Sequence, residues 1–288
     1  MQLLDGKKVS EDIKNEITAE VNLMKANGEK VPHLAAIIVG NDGASLTYVG
    51  SKVKACERVG FESTLVKMPS TTSETELLKK IKQLNQDDNI DGFIVQLPLP
   101  EQIDTQKVIM AIDPSKDVDG FHPENFGKMA LDMSTFIPAT PFGILELLER
   151  YNVETKGKHT VVIGRSHIVG RPMSILMGRK GFPGNSTVTL THSYTKNIAQ
   201  ITTQADIIIT AHGVPNYLKA EMVTDGAVVI DVSITSVEDK NTEKVYRITG
   251  DVDFEMVSKK ASHITPVPGG GSGKISAPNP KNNANRNE

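Results

Sequence analysis

Residues 161–172 read VVIGRSHIVGRP, and this stretch decides the fold of the second half of the chain. An apolar run that ends in Gly164 predicts a strand, and a helix is predicted to open near Gly170. Backbone N–H groups at a helix start attract phosphate, and glycine lets the backbone approach it. The spacing departs from the common dinucleotide fingerprint, because Ser166 and Val169 occupy its second and third glycine positions. Taken alone, the segment fits a nucleotide-binding turn and a plain strand-to-helix turn equally well.

Strands and helices alternate on both sides of this stretch, which predicts an α/β fold with parallel sheets and right-handed crossovers. We divide the chain into an α/β domain at 1–139, a Rossmann-like α/β domain at 140–268 and a final segment at 269–288. The final segment is rich in Gly, Pro and Asn, so it cannot repay its ordering entropy and is predicted to be disordered.

Individual elements follow from apolar periodicity and from turn residues. The region 113–141 is predicted to be loop-rich. Strands are predicted at 34–39, 63–67, 92–96, 160–163, 187–191, 207–210 and 227–231. Helices are predicted at 10–27, 43–59, 72–85 and 141–151, with Ser10, Ser73 and Thr140 as caps of the first, third and fourth.

The composition excludes several classes of protein. The 288 residues carry a formal net charge of −3 without a basic block, so no nucleic-acid partner is expected. The N-terminus has no apolar signal core, and no apolar run approaches the roughly 20 residues that span a bilayer, so no membrane contact is expected. Cys56 is the single cysteine and cannot form an internal disulfide, which fits a reducing, cytoplasmic location. A small helical residue is a better interpretation of Cys56 than a nucleophile.

The cofactor preference follows from the turn and the next strand. Arg165 lies in the turn, and the next strand ends at Thr191-His-Ser193 without the Asp or Glu that would hold an NAD ribose. Arg165 and Ser193 are therefore candidates for binding a 2′-phosphate, which favours NADP over NAD. A solvated surface charge is the alternative interpretation of Arg165. A later strand end carries Val232, Ser233 and Ile234, which are candidates for lining a nicotinamide pocket. For Val232, ordinary core packing is the better interpretation.

Two patterns in the first half carry candidate catalytic chemistry. Tyr48 and Lys52 are four residues apart and share a helix face, where a phenol beside an amine can relay a proton. Spacing alone nevertheless favours an exposed lysine beside a packed tyrosine. Gln96 ends a strand, so its amide can bond Lys52 or a substrate heteroatom, and the prolines that follow can wall a flat ring. A loop stiffened by its prolines fits the same residues.

The third pattern is the segment KDVDGF at 116–121, which offers two carboxylates just before a glycine turn. One of them, Asp117 or Asp119, can accept hydrogen bonds from a ring N–H and an exocyclic amine, as in pterin or guanine recognition. A polar turn in which Asp bonds its own backbone fits the same residues. No group of side chains has the spacing of metal ligands, so no metal is expected.

Taken together, these motifs resemble the methylenetetrahydrofolate dehydrogenase/cyclohydrolase family. The resemblance covers about residues 1–270 in order. It implies two α/β domains flanking a cleft, a homodimer, and NADP-dependent oxidation of 5,10-methylenetetrahydrofolate followed by hydrolysis of the methenyl product. The motifs that carry it are YVGSK at 48–52, VQLPLP at 95–100, KDVDGF at 116–121, TPFGILELL at 140–148, VVIGRSHIVGRP at 161–172 and ITPVPGG at 264–270.

The resemblance also implies residue roles. Lys52 matches the catalytic lysine, Tyr48 its partner, and Gln96 the residue that positions it. The substrate-binding positions are Tyr48, Gln96, Leu97, Pro98 and Asp119, the last matching the carboxylate that anchors the pterin. The cofactor-binding positions are Gly164, Arg165, Ser166, Ser193 and Ile234.

The chain departs from the family pattern at two places. Ser233 stands where the family commonly has Gly, and we expect the change to be tolerated. After residue 270 the family continues with Val-Gly-Pro-Met-Thr and a helix, whereas this chain continues with GSGKISAPNP at 271–280. We therefore keep a folate- or nucleotide-binding protein with impaired turnover as one alternative. A two-domain NADP dehydrogenase acting on a small hydroxy acid is the other, and dependence on a pterin separates it from the folate enzyme.

Overall fold

The computed structural model describes residues 1–41, 43–238 and 246–270. These residues form two compact units, one made of residues 11–137 and the other of residues 1–10 and 138–270. Both units contain a parallel sheet with helices, so the predicted α/β class is confirmed. Within the described ranges, no helix is both long enough and apolar enough to cross a membrane. The predicted disordered segment lies outside the described residues except for Gly269 and Gly270.

The first half of the chain alternates helices with short strands. Its elements are β1 (Gln2–Leu3), α1 (Gly6–Ala26), β2 (His33–Val39), α2 (Gly43–Val59), β3 (Glu62–Met68), α3 (Glu74–Asn85), β4 (Gly92–Val95), α4 (Thr105–Ala111) and α5 (Pro123–Ala130). In the sheet of this unit β2 is central, and it pairs in parallel with β3 on one side and with β4 on the other. The connections therefore diverge at the carboxyl ends of β2 and β4, which is where ligands bind in sheets of this kind.

The two faces of this sheet are covered by different helices. One face packs against apolar residues of α3 and α4, among them Leu77, Ile81 and Val108. The opposite face packs against α2 through Val49, and Val118 joins the same cluster. A Cβ atom at Gly92 would collide with Val118 Cγ1, so glycine at the start of β4 leaves room for the Val118 side chain. This packing fixes the segment around Val118 beside α2.

The second half contains the larger sheet. Its elements are α6 (Ala139–Arg150), β5 (His159–Ile163), α7 (Gly170–Gly178), β6 (Thr187–Thr191), α8 (Ile198–Thr202), β7 (Ile207–Thr210), a 3₁₀ turn (Ala220–Met222), β8 (Val228–Asp231), β9 (Thr235–Glu238), β10 (Tyr246–Thr249), α9 (Phe254–Val257) and β11 (His263–Ile264). Six strands pair in parallel in the order β1-β11-β8-β7-β5-β6. The strand order reverses between β5 and β7, and such a switch point marks the usual nucleotide site.

Two predicted helix starts are wrong. The first helix begins at Gly6, not at Ser10, because Asp5 Oδ1 accepts hydrogen bonds from the N–H groups of Lys7 and Lys8 at 2.9 and 3.2 Å and caps it one turn earlier. Thr140 does not cap α6, since it lies inside that helix and the residue before the helix is Pro138. By contrast, Ser73 caps α3 in the predicted way, as part of a capping box with Glu76.

Other differences from the sequence-based prediction come from tertiary contacts. The predicted loop at 113–141 contains α5, whose Asn125 is buried against Asp117. The antiparallel pair β9–β10 was also not predicted. The first ten residues were assigned to the first domain, whereas β1 pairs with β11 in the second unit. Such pairings join distant parts of the chain, so periodicity within a short window does not reveal them.

Candidate functional site

Tyr48 and Lys52 lie four residues apart on α2. Val49 and Cys56 of the same helix are buried. Tyr48 stays 40% exposed, and Lys52 Nζ lies 4.8 Å from the centroid of its ring. The i, i+4 spacing therefore brings the phenol and the amine together, as the sequence predicts. The tyrosine is not packed into the core, which leaves its ring accessible to a ligand.

Lys52 also faces the carboxylate of Asp119. The Lys52 Nζ to Asp119 Oδ1 distance is 3.5 Å, longer than the roughly 2.7–2.9 Å of a tight charge-assisted hydrogen bond. Both side chains are largely shielded from solvent. Burial raises the pKa of Asp119 above its ordinary value, while the neighbouring Lys52 lowers it. The amine is thus held next to a carboxylate without being locked to it.

The structure distinguishes the two carboxylates of the KDVDGF segment. Asp117 Oδ2 accepts hydrogen bonds from the His122 N–H at 2.7 Å and from Asn125 Nδ2 at 3.0 Å. Asn125 is itself held by Thr135, whose hydroxyl donates to Asn125 Oδ1 at 2.8 Å. The hydrogen bonds that Asp117 accepts therefore stabilise its own segment. Asp119 is the carboxylate that remains available to a ligand.

Gln96 follows β4 directly, at the carboxyl end of the strand. Its backbone N–H donates to Ile37 O at 2.9 Å, and its side-chain Nε2 donates to Leu97 O at 2.7 Å. The Leu97–Pro98 peptide bond that follows is cis. In the described part of the chain no hydrogen bond joins Gln96 to Lys52, so the predicted contact between these two side chains remains a prediction.

An apolar pocket lies beside this strand end. Leu97 and Asp119 line it, as does Phe121, which the sequence reasoning did not single out although it ends the KDVDGF motif. Its walls are mostly apolar, and its volume of about 10 Å³ is the room that a single water needs, so the cavity as it stands does not hold a pterin ring. Pro98 is not among the lining residues. The other residues that line the pocket are Phe93, Ile94, Val95, Val108, Ile109, Ile112 and Asp117.

The turn between β5 and α7 depends on two glycines. Gly164 has φ +111°, a conformation that side chains disfavour, and a Cβ atom there would collide with Ala211 O. A Cβ atom at Gly170 would collide with Gly164 O. The backbone of the turn is thus packed closely against both the loop after β7 and the start of α7. A phosphate can approach the backbone of such a turn.

Replacing Gly164 with alanine is expected to destabilise the protein strongly. The positive φ costs about 1–2 kcal/mol, and the collision with Ala211 O adds about 1–3 kcal/mol. Gly157→Ala is the matched control, since Gly157 has φ +72° but nothing within 4 Å of its Cβ position. Thermal unfolding checks this expectation. Equal losses of stability in the two variants would contradict it.

Ser166 stabilises this turn through hydrogen bonds within it. Its Oγ accepts hydrogen bonds from the N–H groups of Val169 and Gly170 at 3.1 and 3.3 Å, and its carbonyl oxygen accepts one from Arg171 N at 3.0 Å. The hydroxyl thereby satisfies N–H groups at the start of α7, which otherwise lacks a side-chain cap. Serine at the second glycine position of the fingerprint therefore has a structural role.

The exposed end of the turn carries polar and aromatic side chains. Arg165 and Ser193 are exposed, and β6 ends in Thr191 with no acidic residue following it before Ser193. The Arg165 guanidinium lies 5.8 Å from the ring centroid of Tyr194, which is 81% exposed. The sequence reasoning missed Tyr194, although its position directly after Ser193 was a signal. A cation, a hydroxyl and an aromatic face thus surround the end of β6.

Ile234 is the last of the predicted cofactor positions. It follows β8 at the same edge of the sheet and is 54% exposed. Val232, by contrast, is buried. An exposed aliphatic side chain at the carboxyl end of a strand is available to pack against a ring of a bound nucleotide.

Two family models match the chain. The tetrahydrofolate dehydrogenase/cyclohydrolase catalytic domain matches residues 4–119, and the NAD(P)-binding domain of the same family matches residues 138–277. The chain is 90% identical over 270 residues to the Bifunctional protein FolD of Flavobacterium psychrophilum, a match that covers 94% of this chain and 92% of that protein. It is 57% identical over 270 residues to the protein of the same name from Bacteroides fragilis, with the same two coverages.

Solved structures agree with the sequence matches. The bifunctional FolD methylenetetrahydrofolate dehydrogenase/cyclohydrolase of Campylobacter jejuni superimposes with a TM-score of 0.89 at 44% identity, over 96% of this chain and 94% of that one. The Trypanosoma brucei methylenetetrahydrofolate dehydrogenase-cyclohydrolase, solved with NADP and an inhibitor, gives 0.87 at 36% identity, over 94% and 92%.

Proposed function

The chain belongs to the tetrahydrofolate dehydrogenase/cyclohydrolase family, and on that premise we propose how its own residues serve the two reactions of the family. It is a bifunctional enzyme that oxidises 5,10-methylenetetrahydrofolate with NADP and hydrolyses the methenyl product to 10-formyltetrahydrofolate. The observation that carries the residue assignment is the approach of Lys52 to both Tyr48 and Asp119 at one end of a sheet. Family membership removes the alternative of a hydroxy-acid dehydrogenase.

The cofactor residues act by holding and orienting NADP, which accepts the hydride when bound. Arg165 and Ser193 bind the 2′-phosphate, and the turn from Gly164 to Ser166 receives the pyrophosphate. Ile234 packs against the nicotinamide. Supporting features are the closely packed glycine turn, the missing acidic residue after β6 and the exposure of Arg165 and Ile234. Hydride transfer demands little more from the protein than this positioning.

Lys52 serves the hydrolytic step. Water adds to the cationic methenyl carbon and loses a first proton to solvent. The resulting hydroxyl then gives up its remaining proton and N5 receives one as the bond from that carbon to N5 breaks, so one proton is released overall. Lys52 Nζ carries the proton between these atoms, which general acid–base catalysis by a positioned amine allows. Tyr48 keeps the amine against its ring face, and Gln96 positions the lysine from the end of β4.

Asp119 binds the pterin. Its carboxylate accepts hydrogen bonds from the ring N–H and the exocyclic amine, while Leu97 and Pro98 wall the ring. Because the Lys52–Asp119 contact is long, a bound pterin can replace Lys52 as the hydrogen-bond partner of Asp119. The Lys52 amine is then free to act at the reacting carbon. On this assignment the unit of residues 11–137 binds the folate, and the unit of residues 1–10 and 138–270 binds NADP.

Assembly and location are further proposals. The homodimer rests on the family resemblance alone, and light scattering of the purified chain tests it. The cytoplasmic location rests on the single cysteine, Cys56, which is buried and whose thiol has its pKa raised by that burial. A thiol in this state resists oxidation and forms no internal disulfide.

The altered sequence at 271–280 favours one competing function, a folate- or nucleotide-binding protein with impaired turnover. This segment replaces the run that the family resemblance implies, and it lies outside the described residues. An absorbance assay with 5,10-methylenetetrahydrofolate and either NADP or NAD decides between the two. Turnover with NADP supports the bifunctional enzyme, whereas cofactor binding without turnover supports the competing function.

Replacing Arg165 with alanine is expected to weaken NADP use selectively. Loss of a charge-assisted contact with the 2′-phosphate costs about 1.5–3 kcal/mol, so KM for NADP should rise roughly 10- to 100-fold. KM for NAD, which lacks that phosphate, should change little. Lys180→Ala is the control, because Lys180 is exposed and lies beyond the other end of α7. Equal effects of Arg165→Ala on the two cofactors would contradict the assignment.

A further inference from the structure

One buried carboxylate joins the loop after β7 to the turn after β8. Asp251 is fully buried, and its Oδ2 accepts hydrogen bonds from Thr210 Oγ1 at 2.8 Å and from the N–H groups of His212 and Gly213 at 2.7 and 3.2 Å. The same oxygen accepts a hydrogen bond from Ser233 Oγ at 2.7 Å. Four donors on one oxygen therefore fix the backbone at two strand ends of the large sheet.

Ser233 is the member of this group that touches both loops. Its hydroxyl donates to Asp251 and at the same time accepts the Gly213 N–H at 3.1 Å. Its own N–H donates to Asp231 Oδ1 at 3.2 Å. Alanine or glycine at this position would lack both hydroxyl contacts, and the Gly213 N–H would keep only its longer contact with Asp251.

The surroundings make the hydroxyl important to Asp251. In the described part of the chain Asp251 Oδ1 is buried without a hydrogen-bond partner. The donors on Oδ2 therefore have to offset the free-energy cost of burying this carboxylate. The nearby Asp231 has its pKa raised to about 6 by burial, although the N–H groups of Val252, Asp251 and Ser233 lower it. Removing one donor from a buried carboxylate costs more than the net value of the bond.

The order of the strands shows which part of the cofactor these loops serve. The sheet runs β6-β5-β7-β8, and the proposed 2′-phosphate site lies at the end of β6 while the glycine turn follows β5. A dinucleotide that begins at β6 and passes the turn after β5 continues over β7 and β8. The loops held by Ser233 and Asp251 therefore belong to the nicotinamide end, where Ile234 follows Ser233 directly.

We propose that Ser233 is a positioning residue for hydride transfer, which through Asp251 and the Gly213 N–H fixes the two loops that orient the nicotinamide. The proposal rests on the proposed cofactor role of Ile234. Ser233 does not touch the reacting atoms. It acts by holding the backbone on which Ile234 and Gly213 are carried.

The test compares Ser233→Ala, Ser233→Thr and the control Ser258→Ala, in which the lost hydroxyl donates to the Glu255 carbonyl in an exposed position. Amide hydrogen exchange at His212 and Gly213 is measured without cofactor, and calorimetry gives the dissociation constant of NADP. Dehydrogenase turnover is measured at saturating substrates, and cyclohydrolase turnover is measured on methenyltetrahydrofolate supplied directly.

In Ser233→Ala we expect exchange at Gly213 to accelerate and dehydrogenase kcat to fall about tenfold, because a small misplacement of the reacting groups is costly. Cyclohydrolase turnover should keep its wild-type rate, since it needs no hydride transfer. Ser233→Thr keeps the hydroxyl and should retain most of the dehydrogenase rate, and Ser258→Ala should match the wild type in every measurement.

Unchanged exchange at Gly213, or equal losses in both activities, would overturn the proposal. If Ser233→Ala does not fold, Ser233→Cys replaces it, since Cys keeps the volume but donates a weaker hydrogen bond. Wild-type values of Gly213 exchange and kcat in that variant would also overturn the proposal. An inactive wild-type enzyme would instead refute the proposed function, and hydrogen exchange with NADP calorimetry would still decide the role of Ser233.

Discussion

Replacing Lys52 with methionine is expected to abolish cyclohydrolase activity, with a loss of about 10²- to 10⁴-fold in rate. Methionine keeps an unbranched side chain of similar length against the Tyr48 ring but cannot carry a proton. The substitution also removes the charge that lowers the pKa of Asp119, so burial should raise that pKa further and folate binding should weaken as well. The dehydrogenase step depends mainly on positioning and should retain a measurable part of its rate.

The measurement is the disappearance of methenyltetrahydrofolate, supplied directly and followed by absorbance. Lys54→Met is the matched control, because Lys54 lies on the same helix α2 but is exposed. The control should hydrolyse at the wild-type rate, which would show that loss of a lysine from α2 does not itself impair the enzyme. Wild-type hydrolysis by Lys52→Met would refute the proton-transfer role.

Replacing Asp119 with asparagine is expected to raise KM for the folate roughly 10- to 100-fold in both reactions, as losing hydrogen bonds to a charged acceptor costs about 1.5–3 kcal/mol. The amide is nearly isosteric, but its NH₂ group would face the donors of the pterin and of Lys52. The fold should survive, because Asp119 makes its side-chain contact with Lys52 and not with the backbone of its own segment.

Asp117→Asn is the informative comparison for this variant. Asp117 is buried and accepts hydrogen bonds from the His122 N–H and from Asn125, so its replacement should lower the thermal midpoint. Steady-state kinetics and thermal unfolding of both variants separate a binding defect from a folding defect. A normal KM for folate in Asp119→Asn, or a loss of stability as large as that of Asp117→Asn, would contradict the assignment of Asp119 to the pterin.

Local sequence patterns predicted the elements that place the catalytic residues. Apolar runs located β2, β4 and β5, and the glycines at 164 and 170 marked the turn before α7. These predictions succeed because strand burial and positive φ are decided by residues that are close together in sequence. The start of α1 was predicted one turn late, since the capping potential of Asp5 was overlooked and Ser10 offered an equally plausible cap.

The sequence by itself determined the fold class, the family, and the pairing of Tyr48 with Lys52, because helical spacing puts residues four positions apart on one face. The sequence did not show which of Asp117 and Asp119 is available to bind a ligand. It also gave no indication of the contacts that Ser233 makes with Asp251 and Gly213. Only the tertiary structure decided these points. The Asp117 carboxylate accepts hydrogen bonds from the His122 N–H and from Asn125, which depends on how the segment after it folds. The contacts of Lys52 with Asp119 and of Ser233 with Asp251 join residues that are not neighbours in sequence, so they depend on the packing of each sheet rather than on local sequence.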